Sequence, residues 1–325
     1  MSEPLLQVEG LRADCFTVEG VVKAIDDVSF TLDRGNVLGL LGDSGSGKSM
    51  IGYSIMGLVE PPARVVGGRI LLSGRDLATL SAEQMRELRG NRIAMIFQDP
   101  MRTLNPVLRI DTQMVETILA HEPVSGPAAR SRTREALVKV GVFSPEAVLK
   151  AYPHLLSEGM RQRVAIAIAL LNRPDVIIAD DPTSTLDVIV QGQILFDLQE
   201  LMRETGTALI WITREPSVIA GLVDHIGVLY GGRMVELGYA EDVLRAPRHP
   251  YTRGLLDSAP GNAAPGEKFR QMAGVGPSLA DLPPGCTFRL RCPYATAECA
   301  RTPDLLAYGA MGQSVRCFHP LSPSG

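Results

Sequence analysis

Apolar and polar residues first alternate clearly in VVKAIDDVSFTL (21–32), where Val28, Phe30 and Leu32 are separated by polar positions. That period of two predicts a half-buried strand. The short apolar run NVLGLLG follows and ends in a glycine-rich stretch, after which residues 49–58 read as helix. RIAMIFQ (92–98) is a second strand candidate. Residues 111–172 are mostly helix-like, broken at Pro123–Pro127 and at Ser144–Pro145. DVIIADD (175–181) and TALIWIT (207–213) are continuous apolar runs, as expected of strands buried on both faces of a parallel sheet. GVLYGGRMVELG (227–238) reads as two strands joined at Gly231–Gly232. Strands alternating with helices predict an α/β fold around a mainly parallel sheet. Past residue 257, SAPGNAAPGEK reads as a linker, and a cysteine-rich segment follows.

The chain has 325 residues, a length that suits two domains, and an ordinary globular balance of 45% hydrophobic and 21% charged residues. A net charge of −4 argues against a nucleic-acid-binding surface. The longest apolar run, Val164 to Leu171, is far short of the roughly 20 residues a membrane-spanning helix needs. The N-terminus carries no secretory pattern, so a cytoplasmic protein is expected, with any membrane role supplied by partners.

The turn Gly42-Asp43-Ser44-Gly45-Ser46-Gly47-Lys48-Ser49 fits G-x-x-x-x-G-K-[ST] between a predicted strand and a predicted helix. Its glycines allow backbone N–H groups to curl around phosphate oxygens. Lys48 brings a positive charge to the β- and γ-phosphates, and the Ser49 hydroxyl can ligate Mg²⁺. The helix that follows directs its positive end at the anion. Asp180 ends the buried run VIIAD, where a carboxylate can hold Mg²⁺-bound water. Asp181 follows it; a plain helix N-cap before Pro182 and Thr183 is its alternative reading, but a pair of acids about 130 residues after such a turn favours the functional one.

Tyr152-Pro153-His154-Leu155-Leu156-Ser157-Glu158-Gly159-Met160-Arg161-Gln162-Arg163 resembles the LSGGQ-type signature of ATP-binding-cassette (ABC) ATPases, in the form found in peptide importers. Gln98, in MIFQDPMRTLNP, resembles the Q-loop. Ser184-Thr185-Leu186-Asp187 resembles the D-loop, and Pro247–Thr252 the HPYT element. The resemblance spans about residues 4–320. It implies a P-loop ABC ATPase with a mainly parallel sheet core, an antiparallel β subdomain, a helical signature subdomain at about 99–172, and a small Cys-rich extension. The nucleotide-binding domain would cover 1–257 and the extension 258–325. By the same resemblance, two such subunits close head to tail on two ATPs, with Ser157, Gly159 and Asp187 facing the partner's nucleotide. Gln98 and Asp180 join Ser49 at Mg²⁺, Asp181, Gln98 and Arg214 take catalytic positions, and Gln98–Pro106 touches a membrane subunit.

Four positions depart from the family pattern. Asp181 stands where Glu is usual, a carboxylate withdrawn by roughly 1.5 Å, and a misplacement of about 1 Å can cost on the order of a hundredfold in rate. Arg214 replaces the switch His, and His225 reads as a surface or packing residue. Glu158 replaces a signature glycine and either repels the partner's γ-phosphate or points to solvent. Cys15 aligns with the adenine-stacking aromatic, leaving Phe16 to stack or to pack in the core. Together they imply a site that binds ATP but hydrolyses it slowly, hence a heterodimer with a more complete ATPase subunit.

Cys286, Cys292, Cys299 and Cys317 have the spacing C-x5-C-x6-C-x17-C. Four thiolates suit Zn²⁺ or an iron–sulfur cluster, and free or disulfide-bonded thiols are the alternative. The segment resembles the extension of dipeptide and oligopeptide importer ATPases, which implies a [4Fe–4S] cluster. The resemblance as a whole implies an ATPase subunit serving two transmembrane permease subunits and an extracytoplasmic substrate-binding protein, peripheral on the cytoplasmic face of the membrane. Peptides are the expected cargo, with nickel, opines or oligosaccharides as alternatives. A non-hydrolysing nucleotide-sensing regulator and a soluble ABC ATPase of DNA repair or translation are the competing classes.

Overall fold

The structure, a computed structural model, describes residues 3–259, 272–309 and 312–322. Most of the proposed linker therefore lies outside the described residues. The chain divides into two compact units, one of residues 1–32, 37–78 and 211–325, the other of 33–36 and 79–210.

The first unit opens with the long hairpin β1 (Leu6–Thr17) and β2 (Gly20–Leu32). Val28, Phe30 and Leu32 are buried, as their alternation predicts. The uniformly buried β3 (Val37–Leu41) leads into the glycine turn and α1 (Lys48–Met56). The strands β4 (Ala63–Leu72) and β5 (Arg75–Asp76) join the hairpin in an antiparallel sheet of order β2-β1-β4-β5.

The second unit holds α2 (Ala82–Leu88), β6 (Ile93–Ile96), α3 (Ile110–Leu119), α4 (Gly126–Lys139), α5 (Pro145–Lys150), α6 (Glu158–Leu170), β7 (Val176–Asp180) and α7 (Val188–Thr205). The strands β6 and β7 are parallel and fully buried. The region 99–172, expected to be helical, lies within this unit. One break is narrower than the sequence implies. Pro127 lies in the first turn of α4 behind the Ser125 N-cap, where its missing N–H costs no hydrogen bond. Pro145 likewise starts α5. The apolar run TALIWIT becomes β8 (Ala208–Thr213), buried along its length, and it carries the chain out of the second unit.

Back in the first unit come α8 (Pro216–Ile219), β9 (His225–Tyr230), β10 (Arg233–Tyr239), α9 (Ala240–Arg245) and α10 (Pro250–Asp257). The strand β9 runs parallel to β3 and antiparallel to β10. The turn between β9 and β10 has positive φ at both Gly231 and Gly232, the backbone a two-residue hairpin demands. The cysteine-bearing segment includes β11 (Leu306–Tyr308) and β12 (Gln313–Val315), with Cys317 just beyond β12. By pairing with β10, β12 makes the extension part of this unit's sheet rather than an appendage.

Candidate phosphate-binding site

The glycine turn leaves β3 and enters α1 at Gly47, with φ of 101°. A Cβ there would lie 2.5 Å from the Ala24 carbonyl oxygen, so a side chain would clash as well as strain the backbone. No side chain caps α1. Its first-turn N–H groups and the positive end of its dipole therefore face the turn, the arrangement that receives an anion. Lys48 is buried, and its ammonium donates to the carbonyls of Gly42 (2.7 Å) and Asp43 (2.8 Å) and to Ser46 Oγ (3.1 Å). The charge is thus held inside the turn rather than left in solvent. Ser46 is buried too, while Ser44 and Gly45 stand exposed at the tip and Ser49 is half-buried in the first turn of α1.

Arg214 follows β8, and its guanidinium donates to Ser44 Oγ at 3.3 Å. Arg214, expected from the resemblance to replace the switch His, is therefore at the tip of the glycine turn. His225 is elsewhere, packed against Tyr239 with ring centroids 4.6 Å apart and the planes tilted by 32°, in keeping with a packing role. Phe16 is half-buried on β1, with the Arg64 guanidinium 4.0 Å from its ring centroid. This cation–π contact engages the ring that was a candidate to stack on adenine. Cys15, its neighbour, is half-buried.

The remaining candidates belong to the second unit. Asp180 is buried at the tip of β7. Asp181 does not cap a helix. It takes a left-handed backbone (φ 48°), and its carbonyl accepts the Ser184 hydroxyl at 3.1 Å. Asp tolerates that conformation better than most residues. Gln98 is exposed and donates to Ser184 Oγ at 3.2 Å, so one serine ties the Q-loop residue to the stretch after Asp181. Ser157 caps α6 by accepting from the Met160 N–H (3.3 Å). Glu158 is exposed in the first turn, where a negative charge suits the helix dipole. A Cβ on Gly159 would come 3.2 Å from Val190 Cγ1, a tight contact inside the same unit. Asp187 caps α7, accepting from the N–H groups of Ile189 and Val190.

The four cysteines of the extension are free thiols, Cys299 buried and the others half-buried. Burial, and then the other three thiols, push Cys317 up to about 11. Burial also raises Cys286 and Cys292. These three thiols stay protonated at neutral pH; the His319 N–H donates to Cys317 Sγ, and the Thr296 hydroxyl lies 4.0 Å from Cys299 Sγ. Among the described residues, no group of three or more His, Cys, Asp or Glu side chains is placed to hold a metal ion. The side chains therefore do not form a ready cage for a cluster.

One contact has no counterpart in the motif reading. The Asp43 N–H, in the phosphate turn, donates to the Tyr251 hydroxyl at 2.9 Å. Tyr251 lies in the HPYT-like element, but nothing in the spacing of the two motifs reveals that they touch.

Residues 25–184 match the ABC transporter family, and residues 235–299 match the C-terminal region of oligopeptide/dipeptide transporters. The chain is 44% identical to the dipeptide transport ATP-binding protein DppD of Bacillus subtilis (strain 168), over 97% of this chain and 95% of that one. It is 43% identical to the oligopeptide transport ATP-binding protein OppD of Salmonella typhimurium, over 98% and 94%. Among solved structures it resembles the dimeric post-hydrolysis state of the ATP-binding cassette MJ0796 bound to ADP and Pi. That match has a TM-score of 0.66 and 26% identity, over 72% of this chain and 98% of the other. Among the described residues no helix is long and apolar enough to cross a membrane.

Proposed function

The chain belongs to the ABC transporter family, among its dipeptide and oligopeptide transport ATP-binding proteins, and from that premise we propose that it powers peptide uptake by binding and hydrolysing ATP. The observation that carries this reading is the Gly42–Ser49 turn, with its uncapped helix start and its buried, internally held Lys48. Nucleotide phosphates take the place of the carbonyl oxygens around the Lys48 ammonium. By the family pattern, Ser49, Gln98 and Asp180 would hold Mg²⁺ through oxygen donors of the kind it prefers, and the bound ion would neutralise phosphate charge. Ser157, Gly159 and Asp187 meet the nucleotide of a second subunit. Two permease subunits and an extracytoplasmic binding protein complete the importer, with this chain on the cytoplasmic face of the membrane.

The site on this chain turns over slowly, and a second, different ATPase subunit supplies most hydrolysis. Two features support this: the short carboxylate of Asp181, and Arg214 at the Ser44 tip in place of a histidine. Glu158 contributes less, because its exposed place at the start of α6 makes it solvent-facing in the single chain. The test is ATP turnover by the assembled complex after the partner's catalytic Glu is changed to Gln. Turnover should fall by about a hundredfold or more if the partner does the work, and recover in part when Asp181→Glu and Arg214→His are added. Turnover that survives the partner's change would overturn the division of labour.

For the extension, the reading is a [4Fe–4S] cluster on Cys286, Cys292, Cys299 and Cys317. Its support is the C-x5-C-x6-C-x17-C spacing, with the first three cysteines in the stretch that matches the C-terminal region of oligopeptide/dipeptide transporters, and ligation would require the thiols to deprotonate and draw together. Iron and acid-labile sulfide in anaerobically purified protein should be stoichiometric with the chain. Zinc without sulfide, or no metal, would refute the cluster.

A further inference from the structure

The extension packs against the very elements that hold the phosphate turn, and it does so by two routes. The first runs through Tyr251, which is fully buried in the first turn of α10 and whose hydroxyl accepts the Asp43 N–H. Its ring lies 4.5 Å from that of Tyr230 and 5.5 Å from that of Phe288, and the Tyr230 and Phe288 rings meet edge-on at 5.2 Å. Phe288 belongs to the extension, two residues after Cys286, and is 2% exposed. The backbone beneath is fixed as well. The Tyr251 N–H donates to His249 Nδ1 (3.0 Å), and the N–H groups of Arg248 and His249 donate to the buried Glu236 carboxylate.

The second route runs through the β9–β10 turn. The Gly232 N–H donates to the Ser46 carbonyl at 3.1 Å, inside the phosphate turn. The adjacent Gly231 is pressed by the extension: a Cβ there would lie 3.0 Å from Leu282 Cδ2 and 3.1 Å from Thr287 Cβ. A shift of the extension therefore pushes on two hydrogen bonds that shape the turn at Asp43 and Ser46.

We infer that Tyr251 is a positioning residue for the phosphate turn, and that the cysteine-bearing extension, through Phe288 and Thr287, helps set its nucleotide affinity. The hydroxyl holds Asp43 so that the turn keeps the curl phosphate oxygens need. Phe288 holds the Tyr251 ring at the depth where that hydroxyl reaches. This rests on the nucleotide-binding reading above and adds to it a dependence on the extension.

The test is equilibrium binding of MgADP to the full chain, measured by calorimetry for wild type, Tyr251→Phe, Phe288→Leu and the double variant. Tyr251→Phe keeps the ring, so the chain should stay folded with at most a few degrees lost from its melting temperature, while Kd should rise about three- to tenfold because the turn loses its hold on Asp43. Phe288→Leu should weaken binding in the wild-type background and do little in the Tyr251→Phe background, because both act through one hydroxyl. Should Phe288→Leu melt below the assay temperature, Thr287→Ala takes its place, and an additional, independent loss in both backgrounds is expected from the second route. In the assembled complex, KM for ATP should rise with Tyr251→Phe while kcat holds. A Tyr251→Phe protein that binds within about twofold of wild type overturns the positioning role, and so does a fall in melting temperature with unchanged affinity. Equal effects of Phe288→Leu in both backgrounds overturn the extension's share. Wild-type protein that binds no MgADP would refute the nucleotide-binding reading instead, which separates the two failures.

Discussion

His249 accepts the Tyr251 N–H on Nδ1, so that nitrogen must carry no proton in the folded chain. The ring is almost fully buried, and burial depresses its pKa to about 3. An unfolded chain titrates the same ring near about 6.5. Below that pH the unfolded state binds more protons, so the stability tied to neutral His249 is complete above it and is lost progressively as pH falls towards 3. Glu236, which accepts the His249 N–H, acts in the opposite sense, because burial raises its pKa and eases protonation in the folded state. Comparing wild type with His249→Asn isolates the ring, since Asn can still accept at the helix start. Between pH 7.5 and 5, wild type should lose melting temperature more steeply than His249→Asn. Parallel profiles would show that the ring does not titrate on unfolding.

Among the elements, those whose hydrophobic period is set by a single sheet or helix face were legible in the sequence. Residues 21–32, 175–181, 207–213 and 227–238 all form strands where the alternation or apolar run predicts them. The phosphate turn was legible too, because Gly-x-x-x-x-Gly-Lys-Ser encodes its own backbone: Gly47 is the residue that the Ala24 carbonyl leaves no room to replace. Legibility fails where geometry depends on partners distant in sequence. Of the two readings open for Asp181, catalytic carboxylate or helix cap, the cap fails, because Asp187 caps α7 and Asp181 turns left-handed beneath Ser184. Pro127 reads as a breaker, yet it initiates α4. Phe16 reads equally as a stacking or a packing ring, and only the folded β1–β4 pairing brings Arg64 over it. The Tyr251–Asp43 bond joins residues far apart in sequence, so no local pattern could announce it.

At the scale of the whole molecule, one family resemblance spans nearly the entire chain, while the chemistry that distinguishes this member sits at a few positions. In the proposals above, Arg214 at Ser44 and the short Asp181 carboxylate act on hydrolysis and the four-thiol extension on the turn's affinity; none of them removes the phosphate turn itself. The function therefore rests on that turn gripping a nucleotide. The most direct measurement is equilibrium binding of MgATP to the full chain and to Lys48→Ala, with the melting temperature of each recorded. Wild type should bind saturably, and Lys48→Ala should bind about tenfold or more weakly while remaining folded, since it loses a charged donor at the phosphates. No binding by wild type at millimolar MgATP, or equal binding by both proteins, would contradict the role given to the turn.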